Sequence, residues 1–130
     1  MAPIKFGFTM NVYHLDPAKR GSYIADLNRA LELISGHFES AWIIDHLLDV
    51  DLESFTALAY MAALHPRLKF GHTVVCQSFR NPALVAKMGA SLQFLSGDRF
   101  VLGIGAGWNE EEYRTLGYDF PPAGVRVEQL

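Results

Sequence analysis

The chain has 130 residues, half of them apolar, with 11 basic against 14 acidic side chains and a formal charge of −3 at pH 7, the make-up of one globular domain or a piece of one, with room for a sizeable core. The charges are interspersed and build no concentrated positive field for a phosphate backbone, so nucleic acid is not an expected partner. A single cysteine, Cys76, excludes an internal disulfide and a cysteine-based zinc site within one copy, and with neither a secretion-type start nor a membrane-length apolar run the expected setting is soluble and cytoplasmic.

Residues 4–9 are short, apolar and β-favouring, bounded by Pro3 and by a polar stretch, and they predict strand one. Ile24, Leu27, Leu31 and Ile34 recur at helical spacing and predict helix one over 23–33, with Ser22 as its cap and Gly36 as a left-handed stop. Residues 41–44 predict strand two, which ends at Asp45 and His46. Leu52, Phe55, Leu58, Ala59 and Ala62 form the stripe of helix two, ended by Pro66. Residues 68–75 predict strand three. Asn81 followed by Pro82 starts helix three, which Leu84, Met88, Leu92 and Leu95 continue. Ser96, Gly97 and Asp98 then turn the chain into strand four, 100–104. Beyond Asn109 come an acidic patch, Pro121 and Pro122, and the opening of another helix over 125–130.

The order βαβαβαβ requires crossover connections and gives a parallel sheet with helices packed on it. A doubly wound open sheet and a (β/α)8 barrel both begin this way. In either, ligands sit at the C-terminal ends of the strands, where Asn11, Asp45, His46, Gln77, Ser78 and Asn109 fall. Gly103, Gly105 and Gly107 admit a close ligand or simply ease a crowded strand end. A dinucleotide fingerprint would need a further glycine where Trp108 stands, and after the first strand rather than the fourth. Asp45 and His46 read either as a loop cap beside a solvated ring or as a proton-handling pair. His14, His37, His65 and His72 show no metal spacing. Cys76 is a small side chain bordering a pocket or inert packing, and the run Asn109, Glu110, Glu111 and Glu112 near Tyr113 reads either as the source of a general acid or, more commonly for such runs, as a solvated, capped first helical turn.

Four segments carry a resemblance: G-H-F-E-S-A-W-I-I-D-H over 36–46, F-R-N-P-A-L-V-A-K-M over 79–88, L-S-G-D-R-F-V-L-G-I-G-A-G-W-N-E-E-E-Y over 95–113 and G-Y-D-F-P-P-A-G-V-R over 117–126. In this order they closely resemble the luciferase-like flavin and deazaflavin oxidoreductases over nearly the whole chain. The G-A-G-W-N-E-E-E-Y form leans toward the branch that uses coenzyme F420. The resemblance implies a (β/α)8 TIM barrel, of which residues 1–130 are the N-terminal half, strands one to four, truncated before closure. It further implies a tricyclic ring across the strand ends. His46 would face the ring's reactive carbon as the catalytic residue, and Asp45 would hydrogen-bond the cofactor. A non-proline cis peptide at Thr73 and Val74 would lie behind the ring, and Cys76, Gly105, Ala106 and Gly107 would line the same pocket. Sugar-phosphate dehydrogenases of the F420 branch place a carboxylate where this chain has Trp108, so that substrate is not implied. Trp108 instead narrows the substrate pocket or stacks on a substrate, or is a packing residue of the loop.

The function so implied is hydride transfer between F420 and a small organic molecule, with an FMN-dependent monooxygenase as the alternative. The cofactor's phosphate-bearing tail would be held by the second barrel half. A reading from a different class also follows from the unpaired sheet edges: a catalytically silent half-barrel that associates with another copy or with a missing C-terminal half.

Overall fold

The computed structural model describes residues 3–10, 17–48 and 52–130. Asn11 and His14 lie outside the described residues. Four parallel strands form one sheet in the order β1 (Gly7–Thr9), β2 (Ser40–Ile43), β3 (Lys69–His72) and β5 (Phe100–Val101). Two shorter strands, β4 (Val75–Cys76) and β6 (Ile104–Gly105), pair in parallel beyond β3 and β5. The helices α1 (Arg20–Ile34), α2 (Ser54–Leu64) and α3 (Pro82–Ser96) make the crossovers, and α4 (Glu110–Thr115) and α5 (Ala123–Glu128) follow β6. The fold is α/β with an open parallel sheet: among the described residues β1 and β5 each have one strand neighbour. No described helix is long and apolar enough to cross a membrane.

Alternation along the strands separates two faces. Ala41, Ile43 and Phe70 turn outward and meet Leu31, Phe55, Leu58, Met61 and Leu92 in the core between sheet and helices. The opposite face carries Trp42, whose ring lies across Gly7 and Gly71. A Cβ on Gly71 would sit 2.5 Å from the indole, and one on Gly7 2.4 Å. Both positions therefore need glycine so that Trp42 can lie flat.

Strands three and four expected from sequence are each broken in two, and strand one is shorter than expected, Gly7–Thr9. The Thr73–Val74 peptide is cis, which separates β3 from β4, and residues 102 and 103 separate β5 from β6. The helices keep their places but not every boundary. α1 starts at Arg20, so Ser22 falls inside its first turn and donates Oγ to the Lys19 carbonyl (3.2 Å) rather than capping. The chain leaves α1 through Ser35 with φ −61°, and Gly36 is not among the residues of positive φ, so no left-handed stop is used there. Glu53 caps α2, accepting from the Phe55 and Thr56 amides at 3.2 and 2.7 Å, and Ala59 faces out while Ala57 is buried.

In α3 the Asn81 carboxamide accepts from the Ala83 amide (2.9 Å), Pro82 takes the first position and Gly97 ends the helix at φ 65°. Its buried face is Val85, Gly89, Leu92 and Ser96; Leu84 and Leu95 point away. Gly89 sits where α3 packs on β5, and a Cβ there would make an ordinary contact with the Phe100 ring at 3.6 Å. The inner face is thus turned from the stripe that the leucines suggested.

Candidate functional site

The C-terminal ends of β2, β4 and β6 converge on a cavity of about 310 Å3, within the range of small-molecule sites. Asp45, His46, Thr73, Val74, Cys76, Gly105, Ala106, Gly107 and Trp108 all line it. So do Asn109, Glu112 and Tyr113 from the start of α4. Gln77 and Ser78 lie one turn further on, Gln77 Nε2 donating to Ser78 Oγ (2.7 Å), outside this lining. His65 bonds Asn28 on another face (2.9 Å), and no cluster among the described residues has the make-up of a metal site.

The wall formed by residues 73–76 and 103–107 is backbone-rich because the two segments touch. A Cβ on Gly103 would meet the His72 carbonyl at 2.2 Å, and one on Gly105 the Val74 methyl at 2.6 Å. Gly107 has φ +76°, and a Cβ there would lie 2.1 Å from Tyr113 Oη and 2.8 Å from Cys76 Sγ. Thus the glycine run has a packing reason at every step. Behind it the Cys76 thiol and Tyr113 hydroxyl are 3.1 Å apart, and Tyr113 donates to the Ala106 carbonyl at 3.3 Å. Burial, reinforced by the hydrogen bond to Cys76, pushes the Tyr113 phenol up to about 12, so it acts as a neutral donor. Tyr113 also packs on Phe79 and Phe120, and Arg126 from α5 reaches the Gly107 carbonyl at 3.3 Å.

Asp45 and His46, adjacent in sequence, go opposite ways. The Asp45 carboxylate is buried and accepts both terminal nitrogens of Arg80 (2.7 and 2.8 Å), Ser54 Oγ (2.7 Å) and the Cys76 amide (3.2 Å). Burial alone would raise its pKa, but the hydrogen bonds from Arg80 and Ser54 and the Arg80 charge outweigh that and hold it below the usual carboxylate value. Arg80 also binds Glu53 at 2.8 Å, so one guanidinium ties the end of β2 to the start of α2.

His46 turns the other way. Its Nδ1 lies 2.9 Å from Glu112 Oε2, and its ring meets Trp108 edge to face at 5.9 Å between centroids. Glu112 is 1% exposed, and its Oε1 accepts from the backbone amides of Leu47 and Leu48, the latter at 3.2 Å. The expectation of a solvated acidic turn holds for Glu110 and Glu111 but not for Glu112. Asn109 does cap that turn, accepting from the Glu112 amide at 3.3 Å. The third carboxylate of the run then projects back across to the loop after β2. Arg80 is a site residue that sequence reasoning did not single out, and Glu112 and Tyr113 entered it only as part of the 109–113 run. The only local signal was the spacing of Glu112 three residues after its cap, the position from which a side chain reaches back past the helix start.

Comparisons with known proteins agree with this fold. A family described as luciferase-like monooxygenase matches residues 6–128. An uncharacterized protein of Mycobacterium tuberculosis is 37% identical over 78 residues, 60% of this chain and 27% of that protein. Pyrimidine monooxygenase RutA of a Bradyrhizobium strain is 41% identical over 70 residues, 53% of this chain and 19% of the relative. Among solved structures, monooxygenase RslO1 from Streptomyces bottropensis superposes with a TM-score of 0.82 at 23% identity, over 97% of this chain and 41% of that one. The coenzyme F420-dependent tetrahydromethanopterin reductase from Methanopyrus kandleri gives 0.69 at 25% identity, over 92% and 32%. The oxygenating constituent of 3,6-diketocamphane monooxygenase from Pseudomonas putida, in complex with FMN, gives 0.79 at 17% identity, over 96% and 36%. The matched part spans less than half the length of each of these proteins.

Proposed function

The chain belongs to the luciferase-like monooxygenase family, and from that premise we propose that the protein is an F420-dependent oxidoreductase that moves a hydride between the deazaflavin and a small organic substrate. The observation that carries this reading is His46, held by Glu112 in a cavity that is also lined by a wall of Val74, Gly105, Ala106 and Gly107. That wall is poor in side chains and suits a flat ring: Val74 offers an apolar surface, and the glycines keep the backbone open to it. When bound, the deazaflavin supplies a hydride donor and acceptor without flavin's ready reaction with oxygen. The chain's own part is to orient the ring, to restrict water at the buried end of the cavity and to handle the accompanying proton at His46. Asp45 contributes indirectly, through the amide of Cys76 and the guanidinium of Arg80.

A second reading, FMN-dependent monooxygenation, is favoured by the 41% identity to a pyrimidine monooxygenase. Titration with oxidised and reduced F420 and with FMN, followed by absorbance and fluorescence, separates the two. Tight binding of F420 supports the proposal, and binding of FMN alone overturns it. A His46→Ala variant is expected to lose turnover more than stability. Equal losses would assign His46 to packing.

The edges of β1 and β5, which have no further strand neighbour among the described residues, favour a further proposal, that this sheet is completed by additional βα units or by a second copy. Light scattering tests it: a monomer of these residues that binds cofactor tightly would count against it.

A further inference from the structure

Glu112, in the first turn of α4, binds the loop after β2, whose His46 stands 66 residues away in sequence, and the manner of the junction bears on the chemistry of the ring it touches. Its two oxygens do different work. Oε1 receives the backbone amides of Leu47 and Leu48 and so holds the loop that carries His46. Oε2 lies 2.9 Å from His46 Nδ1. With Glu112 as a carboxylate, its oxygens only accept, and the proton shared across that contact then belongs to Nδ1. In a neutral imidazole the other nitrogen, Nε2, is then the lone-pair atom.

We infer that Glu112 is a positioning residue that locks His46 in the Nδ1–H tautomer and so makes Nε2 the atom that takes up or releases the proton of the reaction. The inference rests on the reading of His46 as the proton carrier. At 1% exposure, Glu112 does not share its oxygens with bulk water, and the ring cannot turn without leaving a buried carboxylate oxygen unpaired. Trp108, edge-on to the same ring, limits the rotation from the other side. Substrates suited to this arrangement carry a hydroxyl, carbonyl or imine whose heteroatom gains or loses a proton as its carbon gains or loses a hydride. The balance is one hydride to or from the cofactor and one proton to or from Nε2.

The test reads the tautomer directly. With selectively 15N-labelled histidine, long-range proton–nitrogen correlation at about pH 8, where an ordinary imidazole is neutral, is expected to show His46 protonated at Nδ1. In Glu112→Gln the amide oxygen stays with the two backbone N–H groups and the new NH2 faces the ring. Nδ1 must then accept, and the tautomer is expected to reverse to Nε2–H with the fold retained. Turnover should fall about 100-fold or more, the scale of acid–base assistance, with little change in KM. A wild-type ring protonated at Nε2, as a protonated Glu112 donating to Nδ1 would give, overturns the inference even if the variant does not fold. An unchanged tautomer in Glu112→Gln overturns it as well. These spectra need no cofactor, so failure to bind F420 or FMN would sink the functional reading and leave this inference standing or falling on its own.

Discussion

Arg80 grips Asp45 with both terminal nitrogens, Nη1 to Oδ2 at 2.7 Å and Nη2 to Oδ1 at 2.8 Å. The pair holds three pieces of chain against one another: the end of β2, the turn after β4 and, through Glu53, the start of α2. Removing the guanidinium leaves a buried carboxylate with only Ser54 and one amide to satisfy it. Arg80→Met is therefore expected to cost about 3–5 kcal/mol, the scale for breaking a buried pair, measured by urea unfolding. In an Asp45→Asn background the same change should cost much less, because no stranded charge remains.

The pair also sets an acid limb. Asp45 has a folded pKa below its ordinary value of 3.8, so its contribution to stability is complete above that value and is lost as pH falls through the depressed one. Chemical denaturation in series below pH 4 should show this loss, and Asp45→Asn should flatten it.

His72 predicts a slope at higher pH and of a different origin. Its ring is buried between Phe55 and Phe100, and neither ring nitrogen has a hydrogen-bond partner among the described residues. Burial lowers its pKa from 6.5 to about 4. Between those values the unfolded chain binds the proton and the folded chain does not, so stability is expected to fall as pH drops from 6.5 to 4. The total loss is bounded near 3 kcal/mol. His72→Leu should remove most of that slope, leaving the smaller part due to His65, which burial shifts in the same direction. Because it deletes two unsatisfied nitrogens, the variant should cost no more than about 1 kcal/mol at pH 7.

What sequence could and could not show divides by distance along the chain. Asn81 and Pro82 were legible because a cap and its amide lie two residues apart. The strand order was legible because apolar runs alternate with helical stripes, and it put Asp45, His46 and Asn109 at the ligand edge, while the roles of the other cavity residues came through the family resemblance. The contacts of Glu112 and Arg80 were not legible, since their partners stand 66 and 35 residues away and only the spacing from the Asn109 cap separates Glu112 from Glu110 and Glu111. The stripe of α3 was misplaced for a related reason: Leu84 and Val85 are both apolar, and only the packing of the helix on the sheet turns Val85 inward and Leu84 out.

The glycines of the cavity wall differ in what they tolerate. Gly107→Ala combines a left-handed φ of +76° with a Cβ 2.1 Å from the Tyr113 hydroxyl, and neither the backbone nor the buried tyrosine can yield freely. A loss of about 2–4 kcal/mol is expected from strain and overpacking together. Gly105→Ala meets only the Val74 side chain at 2.6 Å. Val74 is 46% exposed, so it can swing toward the cavity. Stability should change by less than about 1 kcal/mol, while cofactor titration should show weaker binding as the displaced methyls occupy the ring's wall. Unchanged binding in a folded Gly105→Ala protein would remove Val74 from the cofactor surface.

Trp108 offers the sharpest separation between a packing and a substrate role. Its side chain stands at the cavity mouth, 74% exposed, touching His46 only edge-on at 5.9 Å. A residue so exposed contributes little to the fold, so Trp108→Ala should shift unfolding by no more than about 0.5 kcal/mol. It should leave the F420 and FMN titrations unchanged if, as proposed, residues 74 and 105–107 build the surface against which the ring lies. If the indole stacks on substrate, kcat/KM should fall about 2- to 10-fold, the equivalent of one aromatic contact, with KM carrying most of the change. Trp108→Phe should restore part of the loss. A clear drop in stability with unchanged kinetics would make Trp108 a packing residue of the loop and move substrate selection elsewhere in the protein.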